Sequence, residues 1–254
     1  MQEPRRFNAY ILRSVDMLSR ERGGLGYGDY AFTQDLLFGN QGILRASPRH
    51  PLTMCVAAQL EVLVEALNIY SAETNDYAPF TFLPKRTWER LGPTDLRGQI
   101  WMVERANASG AADALRNFGM GEKTTFEQME PGDFMNFNRT TGKGHGVVFL
   151  AYLDAAGNAI GAYSTEVAGF KYFSSQKTET HGFGYRYAFF DGQCPRLPDG
   201  RVPDCRIIRS PSQRFLNTGY ALMPSLWRHT GFGPPAGFAD LPEGTFDADY
   251  FDGE

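Results

Sequence analysis

No stretch of the 254-residue chain approaches ~18 consecutive apolar residues, so no membrane-spanning helix is expected. Lys and Arg form no long run and the formal net charge is −4, which leaves no electrostatic footprint for nucleic acid. The opening residues, Met1-Gln2-Glu3-Pro4-Arg5-Arg6, lead into an amphipathic segment that lacks an uninterrupted apolar core, so they do not read as a secretory signal. Either export does not use that route, or the chain begins at a processed end. No Cys-x₂-Cys pair occurs, and no histidine lies near the downstream cysteines, so neither a metal nor another cofactor is expected. Internal repeats and low-complexity blocks are also missing.

What is present is an ordinary globular balance, 42% hydrophobic and 21% charged. The length suits one large domain or two small ones. Cysteine is scarce: Cys55, Cys194 and Cys205 are all there are. The last two bracket a loop with three prolines and a glycine, tight enough to bring the sulfurs together. Closing it would stabilise the fold by about 2–3 kcal/mol and would imply an oxidising compartment, periplasmic or secreted. Two unpaired thiols in a reducing compartment are the alternative. If the bridge forms, Cys55 is left as the unpaired thiol.

Periodicity sketches the chain. Residues 5–22 carry Phe7, Tyr10, Ile11, Val15 and Leu18 near helical spacing. Residues 29–52 read as loop with one short helical turn. The strongest helix runs over 53–70, with Val56, Leu60, Leu63, Val64 and Leu67 in period, Pro51 near its start and Thr53 as N-cap. Short helices are expected at 85–91, 95–102 and 110–118. Strands are expected at 133–137, 146–153, 159–167, 171–175 and 183–190, with a turn at Ala155-Ala156-Gly157-Asn158. Helices first and then an antiparallel meander predict an α+β domain, its helices packed on a central antiparallel sheet. The expected divisions are a helical extension at 1–30, a main domain at 31–223, and a Gly/Pro-rich acidic tail at 224–254.

The helix at 53–70 sets Cys55 in its first turn. There the positive end of the helix dipole favours thiolate over a thiol whose ordinary pKa is ~8.5. A small buried core cysteine is the plainer reading of that position. His145 opens the strand that follows Gly142-Lys143-Gly144, where a ring can be held rigidly and stay accessible; a surface histidine without a role is the plainer reading. His181 is a lesser alternative base, while His50 reads as a loop residue and His229 as a surface one. A hairpin about 155–158 would set Val147 against Glu166 and His145 against Ala168. Glu166 would then be the diagonal neighbour of His145 and its orienting partner, with Ser164 as runner-up. The Cys55 N–H would stabilise an oxyanion, helped by Gln41 or Gln34. Tyr27, Tyr30, Trp88, Trp101 and Tyr172 line a cleft or, more simply, pack in the core or at its rim.

These residues resemble a known superfamily. Glu130-Pro131-Gly132-Asp133-Phe134-Met135-Asn136-Phe137-Asn138, followed by Gly144-His145-Gly146-Val147-Val148-Phe149-Leu150, is similar to the Pro-Gly-Asp and Gly-His strands of NlpC-like and CHAP cysteine peptidases. The segment from Ala111 to Gly121 resembles the short helix before that turn. The likeness covers about residues 50–190. It departs from the NlpC pattern around Cys55, where Thr53-Met54-Cys55-Val56 replaces Asp-Cys-Ser, and a histidine in the third position is absent. The resemblance implies a papain-like fold and hydrolysis of amide bonds in bacterial peptidoglycan stem peptides through an acyl-enzyme. Cys55 would be nucleophile, His145 base and Glu166 orienting residue. Acyl transfer to an amine and a non-catalytic cell-wall-binding module are competing expectations on the same fold. An exported toxin-like amidase, with an inhibitory or immunity protein as partner, is another.

Overall fold

Apolar residues at helical spacing build the first layer. The computed structural model describes residues 5–28, 32–46, 48–101, 108–177, 181–197 and 200–233. Helix α1 (Asn8–Arg22) buries Ile11, Val15 and Leu18, with Phe7 just ahead of it. Strands β1 (Leu36–Leu37) and β2 (Ile43–Leu44) pair antiparallel in a stretch expected to be loop. Helix α2 (Cys55–Thr74) is buried on nearly every side, as suits a helix that is apolar all round. Its length and hydropathy alone would let it cross a membrane, yet 78% of its most apolar window is buried inside the protein. It stops where Asn75 adopts the left-handed conformation (φ 57°) and donates its N–H to the Ser71 carbonyl at 2.9 Å. Ser14 Oγ donates to the Val62 carbonyl (2.9 Å), and α1 shares one core with α2 although its stretch was expected to be an extension.

Four short helices follow: α3 (Pro79–Phe82), α4 (Lys85–Glu89), α5 (Leu96–Ile100) and α6 (Ala111–Asn117). The remaining chain is largely strand. It forms β3 (Gly121–Lys123), β4 (Phe134–Asn138), β5 (Gly144–Leu153), β6 (Ala159–Ile160), β7 (Gly169–Gln176), β8 (Gly182–Phe190), β9 (Asp204–Ile207) and β10 (Leu216–Ala221). Seven of these run in the order β3-β10-β4-β5-β7-β8-β9, and β6 pairs with β5 off that path. The fold is therefore α+β. The sheet is mixed rather than antiparallel throughout, because β9 runs parallel to β8. The connection over 191–203 carries the chain back far enough to re-enter in the same direction. The disulfide Cys194–Cys205 clasps that connection, with Cα atoms 5.7 Å apart.

Side-chain alternation divides the sheet. Phe134, Val148 and Phe173 face the helices, with α2 lying on β5 and β7 and α6 on β3, β4 and β10. Met135, Phe137, Val147, Phe149, Phe170 and Tyr172 face the other way into a second core with Phe126, Tyr152 and Phe190. Asp133 ties the layers together. Its buried carboxylate accepts from Arg6 Nη1 (2.6 Å), Asn8 Nδ2 (2.7 Å) and the Glu130 N–H (2.9 Å), pinning the start of α1 to the start of β4. Gly132 beside it has φ 97°, and a Cβ there would sit 2.8 Å from Asn8 Cβ. In the expected tail, residues 224–226 form a 3₁₀ turn and Trp227 is buried, donating Nε1–H to the Leu222 carbonyl (2.9 Å). Residues 234–254 lie outside the described residues.

Candidate active site

The start of α2 meets the start of β5. Met54, not Thr53, occupies the N-cap position, and no side chain caps the helix. Thr53 instead bridges Tyr27, and its carbonyl accepts from Ser175 Oγ (2.7 Å) and the Gly28 N–H (3.3 Å). The first N–H groups of α2 have no intrahelical acceptor, and those of Cys55 and Val56 meet the Cys55 thiol. The helix can come this close because Gly146 has no side chain. A Cβ there would lie 2.6 Å from Gln59 Oε1 and 3.0 Å from Asn136 Nδ2. Gln59, one turn beyond Cys55, fastens α2 to the sheet by donating Nε2–H to the carbonyls of Val147 (3.0 Å) and Met135 (3.1 Å).

Cys55 is 8% exposed and is the free cysteine. Burial pushes its thiol pKa up, while backbone hydrogen bonds from Gly146, Val56 and Cys55 itself and the charge of Arg139 pull it down. The sulfur therefore lies against the peptide that follows His145. Alternation turns the His145 ring to the Phe137 and Tyr172 side of the strand, with ring centroids 5.6 and 5.8 Å away. His145 is 6% exposed, and its Nε2 is buried with no hydrogen-bond partner among the described residues. Burial holds its pKa well below the ordinary 6.5, reinforced by the Arg139 and Arg186 guanidiniums and opposed by a hydrogen bond with the Gln176 side chain. Each group is thus held in its neutral form.

The neighbour of His145 comes from a strand other than the one expected. Only Ala159–Ile160 pairs back onto β5, at Leu153 and Tyr152. The chain then leaves the sheet in a turn where the Glu166 N–H donates to Ser164 Oγ (3.2 Å). Ala168 N–H meets the Leu153 carbonyl (2.8 Å), so Glu166 and Ser164 lie beyond the far end of β5. At ~3.3 Å per residue this is roughly 25 Å along the strand from His145. The structure sets Cys55 against the Gly146 peptide on the helix side of β5 and the His145 ring on the opposite side of the strand, with no hydrogen bond between sulfur and imidazole, and it brings Glu166 to neither. β7 is the long neighbour of β5, with Val148 opposite Phe173. Continuing that register sets Gln176 opposite His145. Tyr172 Oη donates to Gln176 Oε1 at 2.7 Å and fixes the amide. A polar residue at the end of the strand read at 171–175 was the available signal for Gln176.

The other expected residues are placed as follows. Gln34 accepts from Arg22, and Gln41 donates to Asn40 Oδ1 (2.8 Å) at an exposed turn, so neither is presented to Cys55. Trp88, Trp101 and Tyr172 are core residues, Tyr27 is half-buried beside Thr53, and Tyr30 lies outside the described residues. His50 and His181 are exposed, and His229 stacks on Phe82. Among the described residues, no group of three or more His, Cys, Asp or Glu could hold a metal ion. No family model, curated protein or solved structure matches the chain.

Proposed function

We propose that this protein is a periplasmic or secreted cysteine hydrolase of the papain-like, NlpC or CHAP type, cleaving amide bonds in peptidoglycan stem peptides. The observation that carries the reading is the juxtaposition at the start of β5. A cysteine at an uncapped helix start packs against the peptide next to a buried histidine, whose ring is held by a polar side chain from the adjacent strand. The disulfide supports an oxidising compartment.

In this mechanism Cys55 Sγ attacks the substrate carbonyl, and its proton reaches His145 Nε2 through a solvent relay around the end of β5, since the His145 ring lies on the face of the strand away from α2. The N–H groups at the start of α2 stabilise the oxyanion. The imidazolium then protonates the leaving amine, and water hydrolyses the thioester with His145 again as base. Gln176 orients the ring without adding negative charge. An imidazole flanked by Arg139 and Arg186, with no carboxylate partner among the described residues, stays neutral at pH 7, ready to accept a proton. It acts as a general base rather than as half of a standing ion pair.

Burial of both groups also favours a second reading, acyl transfer to an amine from which water is excluded. Alkylation of Cys55 in the native protein by iodoacetamide at pH 7, followed by peptide mass spectrometry, tests the shared chemistry. Labelling should fall roughly tenfold or more in His145→Ala. Equal rates in the two proteins would mean that Cys55 is structural and that the chain is a binding module.

A further inference from the structure

β9 does more than extend the sheet. On one side it runs parallel to β8, with Asp204 beside Ala188 and Ile207 beside Phe190. On the other side it meets the turn that joins β4 to β5, where Ile207 bridges Arg139. Thr140 N–H donates to the Arg206 carbonyl and Ile208 N–H to the Asn138 carbonyl, each at 2.9 Å. Strands β4, β5, β7, β8 and β9 therefore close into a barrel at this end, around the core that holds Phe137, Tyr172, Phe190 and Ile207. Side chains fasten the same seam. Arg139 donates Nε–H to Asp204 Oδ1 at 2.8 Å and Nη2–H to Asp204 Oδ2. Its own N–H closes the turn on the carbonyl of Lys143 (2.9 Å), just ahead of Gly144 and His145.

The seam is not relaxed strand. From Asp204 to Ile207 β9 takes one residue more than β8 takes from Ala188 to Phe190, so Cys205 and Arg206 form a bulge. Arg206 sits there at φ 67°, a left-handed conformation that a residue with a side chain keeps only where its surroundings enforce it. Its carbonyl is held by Thr140, and Ile207 after it is paired on both sides. Before it stands Cys205, bonded to Cys194. Leu197 packs the middle of the intervening loop into one cluster with Phe189, which leaves the covalent bond to fix the end of the loop at the bulge. Cys194 is exposed and Cys205 half-buried, so a reductant in solution reaches the bridge.

We propose that the Cys194–Cys205 bridge is a redox latch on the hairpin that carries His145: a dithiol that opens the bridge releases the β9 bulge and with it the seam that closes the barrel. One thiolate of the reductant attacks a bridge sulfur to form a mixed disulfide, and its second thiol completes the exchange. The reductant leaves as its own disulfide, and Cys194 and Cys205 take up two electrons and two protons as thiols. The hairpin is then fixed in an oxidising compartment and loosened in a reducing one. The latch stands on the contacts across the seam; its effect on hydrolysis rests on the reading of His145 as the base.

The test is hydrogen–deuterium exchange of the full chain in three forms: native, native treated with dithiothreitol, and a Cys194→Ser, Cys205→Ser double variant without reductant. Free thiols are counted by mass. The amides of Arg139, Thr140 and Ile208 should exchange roughly tenfold or more faster once the bridge is open, while α2 stays protected over the same interval. Dithiothreitol should add nothing in the double variant. Unchanged exchange at these amides with both thiols free would overturn the proposal. So would loss of protection in α2 together with the hairpin, which would make the bridge a staple of the whole fold, and so would a native bridge that resists dithiothreitol while the protein stays folded. If the double variant does not fold by circular dichroism, the treated native protein decides alone on the same criteria. Sacculus hydrolysis by the native and open forms is followed separately. Equal hydrolysis with the hairpin open would overturn the latch as a control of the site. An opening hairpin in a protein that never cleaves sacculi would remove the proposed substrate and leave the latch standing.

Discussion

Glu61 lies in the middle of α2 with no exposed surface, and its carboxylate is met by the Thr33 N–H (2.9 Å) and by Thr33 Oγ1. Burial raises its pKa from 4.5 to about 7, against the two Thr33 hydrogen bonds. A folded-state pKa above the unfolded one means that the stabilising proton is held below pH 4.5 and lost as pH rises through 7. At ~1.4 kcal/mol per pH unit, that interval amounts to roughly 3 kcal/mol. Glu61→Gln resembles the protonated form. Its carbonyl can accept the Thr33 N–H while its amide donates to Oγ1, so neither partner is stranded. The variant should match native protein near pH 4.5 and exceed it by roughly 3 kcal/mol at pH 8. His145 acts in the opposite sense, because its lowered pKa costs stability as pH falls below 6.5. That contribution is common to both proteins and cancels in their difference. Urea unfolding of the pair at pH 4.5, 6 and 8 measures it. A gap that stays constant with pH would refute the assignment of a buried, proton-holding Glu61.

Two further outcomes are expected. Gln176→Ala should lower kcat by roughly tenfold or more by freeing the His145 ring, whereas Glu166→Ala, altered at an exposed turn, should leave it unchanged in the same sacculus digestion assay. Cys194→Ser opens a loop of sequence separation 11 and should lower stability by about 3 kcal/mol in denaturant unfolding; an unchanged midpoint would show that the bridge adds nothing.

The residues that carry local physics were legible. The unbroken apolar pattern of α2 located the core helix, and Pro131-Gly132-Asp133 and Gly144-His145-Gly146 located the two strands that frame the site. Long-range pairing was not legible. β10 comes from residues 216–221 yet inserts between β3 and β4, and no local pattern announces that partner. The same limit misplaced the neighbour expected for His145. Residues 159–167 follow the turn at 155–158 and so looked like the neighbour of β5, but Ser164-Thr165-Glu166 closes a side-chain turn and leaves the sheet. β7 inherits the register, and Gln176 comes with it. Thr53 failed as an N-cap for a related reason: its backbone is held by Tyr27 and Ser175, which sets the helix to begin at Cys55.

The most direct test of the central claim is the release of new amino groups from purified peptidoglycan sacculi by native protein and by Cys55→Ala, compared at equal concentration and with matched melting curves. The account predicts steady release by the native protein and none above background by Cys55→Ala, since alanine suits the first turn of α2 and removes only the sulfur. Equal release by the two proteins, or none by either, would contradict it.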